Sequence, residues 1–163
     1  SGTAFNGDGL ANLENLQELN MEHSVESLEP LRNLKNLKIL TMSAGRRAEG
    51  TFRSMEPLSG LTNLESLELN VPNQADVNFS YFSGMTKLTT LYVTTNRTAS
   101  GDPVIDLTPL GSLTQLRSVE LYLFRIRDLT PLAALPNLQS VTISGAENLD
   151  TSPLANVPQV NVE

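Results

Sequence analysis

The chain has 163 residues, a formal net charge of −7, 39% hydrophobic residues, and neither cysteine nor tryptophan. The negative charge argues against nonspecific binding to nucleic acid or anionic membrane, both of which call for a basic surface. Lack of cysteine removes disulfides and thiol chemistry, and no apolar run reaches the roughly 18 residues that a membrane-spanning helix needs.

Residues 1–9 form a polar, glycine-rich lead-in whose Ser1-Gly2 start has the look of an expression scar. No signal peptide opens the sequence, and a signal removed earlier would leave the same beginning. From residue 10 to residue 163 a single domain is expected, made of repeated units. The first unit runs Leu10, Leu13, Leu16, Leu19, Met21. The second is Leu28, Leu31, Leu34, Leu37, Leu40, Met42, and the third is Met55, Leu58, Leu61, Leu64, Leu67, Leu69. Bulkier residues stand in the fourth: Phe79, Phe82, Met85, Leu88, Leu91, Val93. The fifth and sixth are regular, Leu107 to Leu121 and Leu129 to Ile143, while Leu154, Val157, Val160 and Val162 make a degenerate last unit.

Within a unit the apolar residues are spaced by three, repeatedly, and then by two. On an α-helix, four steps of three carry the apolar stripe about 240° around the cylinder, too far for one buried face. Steps of three suit a 3₁₀-like path, and the closing step of two suits a short strand buried on one side. A fixed period of this kind marks a solenoid, in which no coil is stable alone and stacking supplies the core. Equivalent positions Leu31, Leu58, Phe82, Leu110, Leu132 and Leu154 lie 27, 24, 28, 22 and 22 residues apart. The extra residues follow the strands, as SAGRRAEG from Ser43, VPNQAD from Val71 and TTNRTASGD from Thr94, and read as surface loops along one edge.

The units DLTPLGSLTQLRSVEL from Asp106 and DLTPLAALPNLQSVTI from Asp128 resemble the leucine-rich repeat, in the 22-residue, DLTPL-type form of the internalin family of bacterial surface proteins. That resemblance implies an α/β leucine-rich repeat solenoid, a right-handed superhelix with short parallel strands on the concave face and 3₁₀ or short helical turns on the convex face. It also implies a secreted or cell-surface bacterial protein that binds a host or neighbouring-cell protein. Two features depart from the family pattern. The lead-in lacks the amphipathic helical cap that usually precedes the first repeat. The family's asparagine after the strand is present only as Asn96, with Ser24, Gly45, Pro72, Phe124 and Ala146 in the other coils, so the backbone groups it would satisfy must find water or neighbouring turns. Asp106, Asp128 and Asp150 recur every 22 residues before Thr-Pro or Ser-Pro. They read as caps for the turn that follows rather than as a calcium ladder.

Residues between the strand leucines face outward. Across six strands they form columns: Glu18, Ile39, Ser66, Thr90, Ser118, Ser140; then Asn20, Thr41, Glu68, Tyr92, Glu120, Thr142; then Glu22, Ser43, Asn70, Thr94, Tyr122, Ser144. Ser, Thr and Glu are ordinary on a solvated face, whereas Tyr92 and Tyr122 are not. They are diagonal neighbours on adjacent strands, with Phe124 just beyond, and tyrosine is enriched in binding hot spots. The competing readings are that these rings only cover their strands, and that Phe124 turns inward to fill the missing asparagine's place. Arg46, Arg47, Arg97, Arg125 and Arg127 would form a basic rim beside this face, or else pair with Glu49, Glu120 or Asp102.

An enzyme is not expected. His23 is the only histidine, and a triad or a histidine-rich zinc site has little else to be made from. Glu68 and Glu120 lie two strands apart, about 9 to 10 Å, near an inverting glycosidase's spacing, but an open sheet offers no burial to raise either pKa. The expectation is therefore a protein-binding module without cofactor or metal, contacting a protein partner through Tyr92, Tyr122, Phe124, Glu68, Glu120, Arg97 and Arg125. No nucleic acid, membrane insertion or small-molecule substrate is expected. An intracellular scaffold or regulatory subunit in the cytoplasm, and a passive spacer within a longer surface protein, are the alternatives. The abrupt ends suit a fragment of a longer chain.

Overall fold

The computed structural model describes residues 9–22, 25–42, 52–95, 104–146 and 148–163. Each coil begins with a tight turn, passes through two further turns and ends in a strand. The three-residue rhythm is carried by backbone hydrogen bonds that link successive leucines. In the second coil Leu31 N–H donates to the Leu28 carbonyl at 2.9 Å, Leu34 to Leu31 at 3.0 Å and Leu37 to Leu34 at 3.0 Å. The same chain of bonds runs Met55–Leu58–Leu61–Leu64 and Leu107–Leu110–Leu113–Leu116. Each bond closes one 3₁₀-type turn and returns a leucine to the same side, which is why a spacing of three buries a continuous row. The opening turns are 3₁₀ at Glu29–Leu31, Glu56–Gly60, Phe79–Phe82, Thr108–Ser112 and Ser152–Leu154, and a single α-helical turn, α1, at Thr130–Ala133.

The strands are β1 (Glu18–Met21), β2 (Ile39–Met42), β3 (Ser66–Val71), β4 (Thr90–Thr95), β5 (Ser118–Tyr122), β6 (Ser140–Ser144) and β7 (Gln159–Val162). They form one open parallel sheet in sequence order. Its register is the one the leucine steps predict: Glu18, Ile39, Ser66, Thr90, Ser118 and Ser140 stand side by side. The degenerate last unit still contributes a strand, since Val160 and Val162 pair with Val141 and Ile143. Behind the sheet, Leu34, Leu37, Leu40, Leu58, Leu61, Leu64, Leu67, Leu110, Leu113 and Leu116 are buried. The bulky fourth coil makes an aromatic knot there, with Phe79 and Phe82 rings 5.3 Å apart.

The caps are more regular than the aspartates alone suggested. Asp106, Asp128 and Asp150 each accept the first turn N–H, from Thr108 at 2.8 Å, Thr130 at 2.8 Å and Ser152 at 2.9 Å. Ser27, Ser54 and Asn78 do the same for Glu29, Glu56 and Ser80. All six turns are thus capped from equivalent positions, and hydrogen bonds from the side chains and backbone N–H groups of Thr108, Thr130 and Ser152 hold the three aspartate carboxyls below their ordinary range. Neighbouring coils are also stitched by an asparagine just before the strand rather than after it. Asn36, Asn63 and Asn137 donate to the Glu14, Lys35 and Thr114 carbonyls of the preceding coil at 2.8, 2.8 and 2.9 Å.

The inserted segments 43–50 and 96–102 lie outside the described residues, as do His23 and Ser24. The VPNQAD loop is described and folds back onto the preceding coil. Asp76 N–H donates to the Arg53 carbonyl at 2.7 Å, and Ser54 bridges Asp76.

Candidate functional site

Alternation along the strands sends Leu67, Leu69, Leu91, Val93, Val119 and Leu121 into the core and turns Glu68, Tyr92 and Glu120 to the concave surface. In the parallel register these three stand in one row, Glu68 opposite Tyr92 and Tyr92 opposite Glu120. Tyr122 lies two residues further along β5, opposite Thr94. Its ring reaches back diagonally to Tyr92, with centroids 5.3 Å apart and planes tilted by 39°. The Tyr122 hydroxyl donates to Glu120 Oε2 at 2.9 Å, which fixes both the ring and the carboxylate. Both phenols resist ionisation. Tyr92 is raised by burial and by the charges of Glu68 and Glu120. Tyr122 is pushed up to about 12 by burial, by its bond to Glu120, and by the nearby charges of Glu120 and Glu163. The result is a half-buried pair of neutral aromatic rings bordered by carboxylates.

Of the residues singled out from sequence, Glu68, Tyr92, Glu120 and Tyr122 therefore come together. Phe124 does not join them, and its assignment as a contact residue is corrected. It is only 3% exposed, and its ring packs edge-on against Phe79 at 5.9 Å. It fills the place of the missing asparagine, because a large apolar ring gains more from the Phe79–Phe82 pocket than from water. Arg125 and Arg127 are exposed after β5, and the Arg125 carbonyl accepts from Ile105 N–H at 2.8 Å. Arg46, Arg47 and Arg97, with Glu49 and Asp102, lie outside the described residues, so the basic rim is described only at its β5 end.

Sequence reasoning passed over Leu123. This side chain is 42% exposed next to Tyr122, and its backbone is left-handed, with φ of 65°. The equivalent residue after β6 is Gly145, with φ of 84°, which accommodates that conformation without cost. The left-handed step is what turns the chain so that Phe124 points inward. The signal was available by aligning Leu123 with Gly145 two residues after each strand's last inward residue. Among the described residues no group of three His, Cys, Asp or Glu side chains could hold a metal ion, and no helix is long and apolar enough to cross a membrane.

No protein-family model and no curated protein matches the chain. Solved structures do. An internalin (inlF) from Listeria monocytogenes superposes with a TM-score of 0.74 at 28% identity, covering 94% of this chain and 43% of that one. Internalin C2 from the same organism gives 0.63 at 25% identity, covering 99% of this chain and 77% of that one. A leucine-rich repeat protein of Leptospira interrogans, at 17% identity, shares the fold with a TM-score of 0.69 over 99% of this chain and 40% of that one. The chain thus spans less than half the length of the inlF structure it matches. With a seven-stranded parallel sheet, 3₁₀ turns at three-residue spacing and these structural neighbours, the chain is an internalin-like leucine-rich repeat solenoid.

Proposed function

We propose that this chain is a non-enzymatic protein-binding module, the recognition part of a secreted or surface-exposed bacterial protein that engages a host or neighbouring-cell protein with its concave sheet. The observation that carries the reading is the Tyr92–Tyr122 pair, two rings in mutual contact on a face whose other outward residues are mainly Ser, Thr, Asn and Glu. Such rings add nothing to the leucine core behind the sheet, and large rigid side chains with a polar tip are the common anchors of protein interfaces. Likeness to the two Listeria internalins supports both the binding role and the bacterial surface setting.

The test is a photo-crosslinker placed at half-buried, outward-facing Thr142, one strand beyond Glu120, to capture a partner from intact host or neighbouring cells, followed by titration of the purified partner. Changing Tyr92 and Tyr122 together to Ala should weaken its affinity by at least about tenfold, the cost of one hot-spot residue or more, with the melting temperature nearly unchanged. An unchanged affinity would remove the concave patch as the contact surface.

A further inference from the structure

Among the described residues, the ion pairs and the carboxylates of the sheet are kept apart. Among the described residues the salt bridges join Arg32 to Glu29 and to Glu56, both at the opening 3₁₀ turns, and none lies on the strands. The central outward row of the sheet reads Thr41, Glu68, Tyr92, Glu120, Thr142, Asn161. Two carboxylates therefore flank one phenol ring, with backbones about 9.6 Å apart, twice the strand spacing. One oxygen of Glu120 takes the Tyr122 hydroxyl, and a carboxylate has lone pairs for further donors. The charge of Glu163 also reaches Tyr122.

An aromatic face attracts a cation through its quadrupole, and carboxylates on either side attract the same charge. A flat group with donors around its edge meets both demands at once: it stacks on the rings and sends N–H groups to the two sides. We infer that the anchor received by this patch is an arginine side chain of the partner, its guanidinium laid on the Tyr92–Tyr122 rings and its N–H groups donated to Glu68 and Glu120. This rests on the concave-face reading and specifies its chemistry. A compact ammonium is less suited, because it cannot stack and reach both flanks together. The chain's net charge of −7 adds a long-range attraction of the same sign.

The experiment needs no identified partner. The ¹⁵N-labelled chain is titrated by NMR with Nα-acetyl-arginine methylamide, with its citrulline counterpart, which has the same shape without the charge, and with Nα-acetyl-leucine methylamide. Arginine should shift the amides of Glu68, Tyr92, Glu120 and Tyr122 at least fivefold more than citrulline at equal concentration. That selectivity should vanish in Glu68→Gln/Glu120→Gln, whose melting temperature serves as the control for folding. Equal shifts from arginine and citrulline, or shifts that survive the Gln pair, overturn the inference. If the leucine probe perturbs the same amides and arginine does not, the cation claim falls while the patch stands as an apolar contact surface. The tyrosine substitutions against a recovered partner judge that surface separately.

Discussion

Replacing Phe124 with Ala separates a core residue from a contact residue by the property that changes. The side chain is 3% exposed and lies edge-on to Phe79, which in turn packs on Phe82. Truncating a buried Phe removes its transfer free energy and leaves a cavity, together about 3 to 5 kcal/mol. Of that, the edge-on contact accounts for roughly 0.5 to 1.5 kcal/mol. For a chain of this size each kcal/mol moves the melting temperature by about 2 to 4 °C, so Phe124→Ala should lower it by about 6 to 20 °C. The assay is thermal and urea unfolding followed by far-UV circular dichroism. A double-mutant cycle with Phe79→Ala should return a coupling of about 0.5 to 1.5 kcal/mol. A Phe124→Ala protein as stable as the parent, with loss only of partner binding, would refute the inward placement and restore Phe124 to the surface.

Three further outcomes can be measured. Leu123→Asn should raise stability by about 0.5 to 1 kcal/mol in urea titrations, because Asn tolerates the left-handed φ of 65° and an exposed Leu forfeits little burial; a fall would mean that the side chain packs as well as bends the chain. Gly145→Ala should cost about 1 to 2 kcal/mol, since its φ is 84° and an added Cβ would stand 3.1 Å from Leu123 Cα; an unchanged melt would show that the turn can rearrange. Asp106, Asp128 and Asp150, with Glu29 and Glu56 beside Arg32, have folded-state pKa values below the ordinary ones. Their contribution is therefore complete above the unfolded carboxylate range, about pH 4 to 4.5, and is lost as pH falls through the lower folded values. The melting temperature should drop between about pH 5 and 3, and less steeply in Asp106→Asn/Asp128→Asn/Asp150→Asn, because Asn still caps but does not titrate; equal slopes would assign the acid sensitivity elsewhere.

Leucine spacing made the fold legible because it encodes two periods at once. Steps of three become the bonds Leu28–Leu31–Leu34–Leu37, and the step of two becomes a strand, so the register of β1 to β6 follows by counting. The row Glu68–Tyr92–Glu120 and the diagonal Tyr122 follow from the same count. The caps were half legible. Asp at a 22-residue interval is conspicuous, whereas Ser27, Ser54 and Asn78 are separated by insertions and differ in side chain. The asparagine ladder was not legible because the family pattern puts its asparagine after the strand, while Asn36, Asn63 and Asn137 do equivalent work before it.

Phe124 shows where counting stops. Period-two alternation extends a strand's facing rule only while the backbone stays extended, and Leu123 breaks it with a left-handed residue immediately after β5. Nothing in leucine announces that conformation, which costs an L-residue with a Cβ about 1 to 2 kcal/mol. The strain is offset by burying Phe124 on Phe79, a residue contributed by an earlier coil. The inward direction of Phe124 is therefore a property of two stacked coils and one bent residue together. Tyr92 and Tyr122 need no such help: each lies within an extended strand whose inward neighbours are already satisfied by leucine and valine. Their outward rings are free to vary without cost to the core, and that freedom makes the concave row the part of the solenoid on which a partner's chemistry can be written.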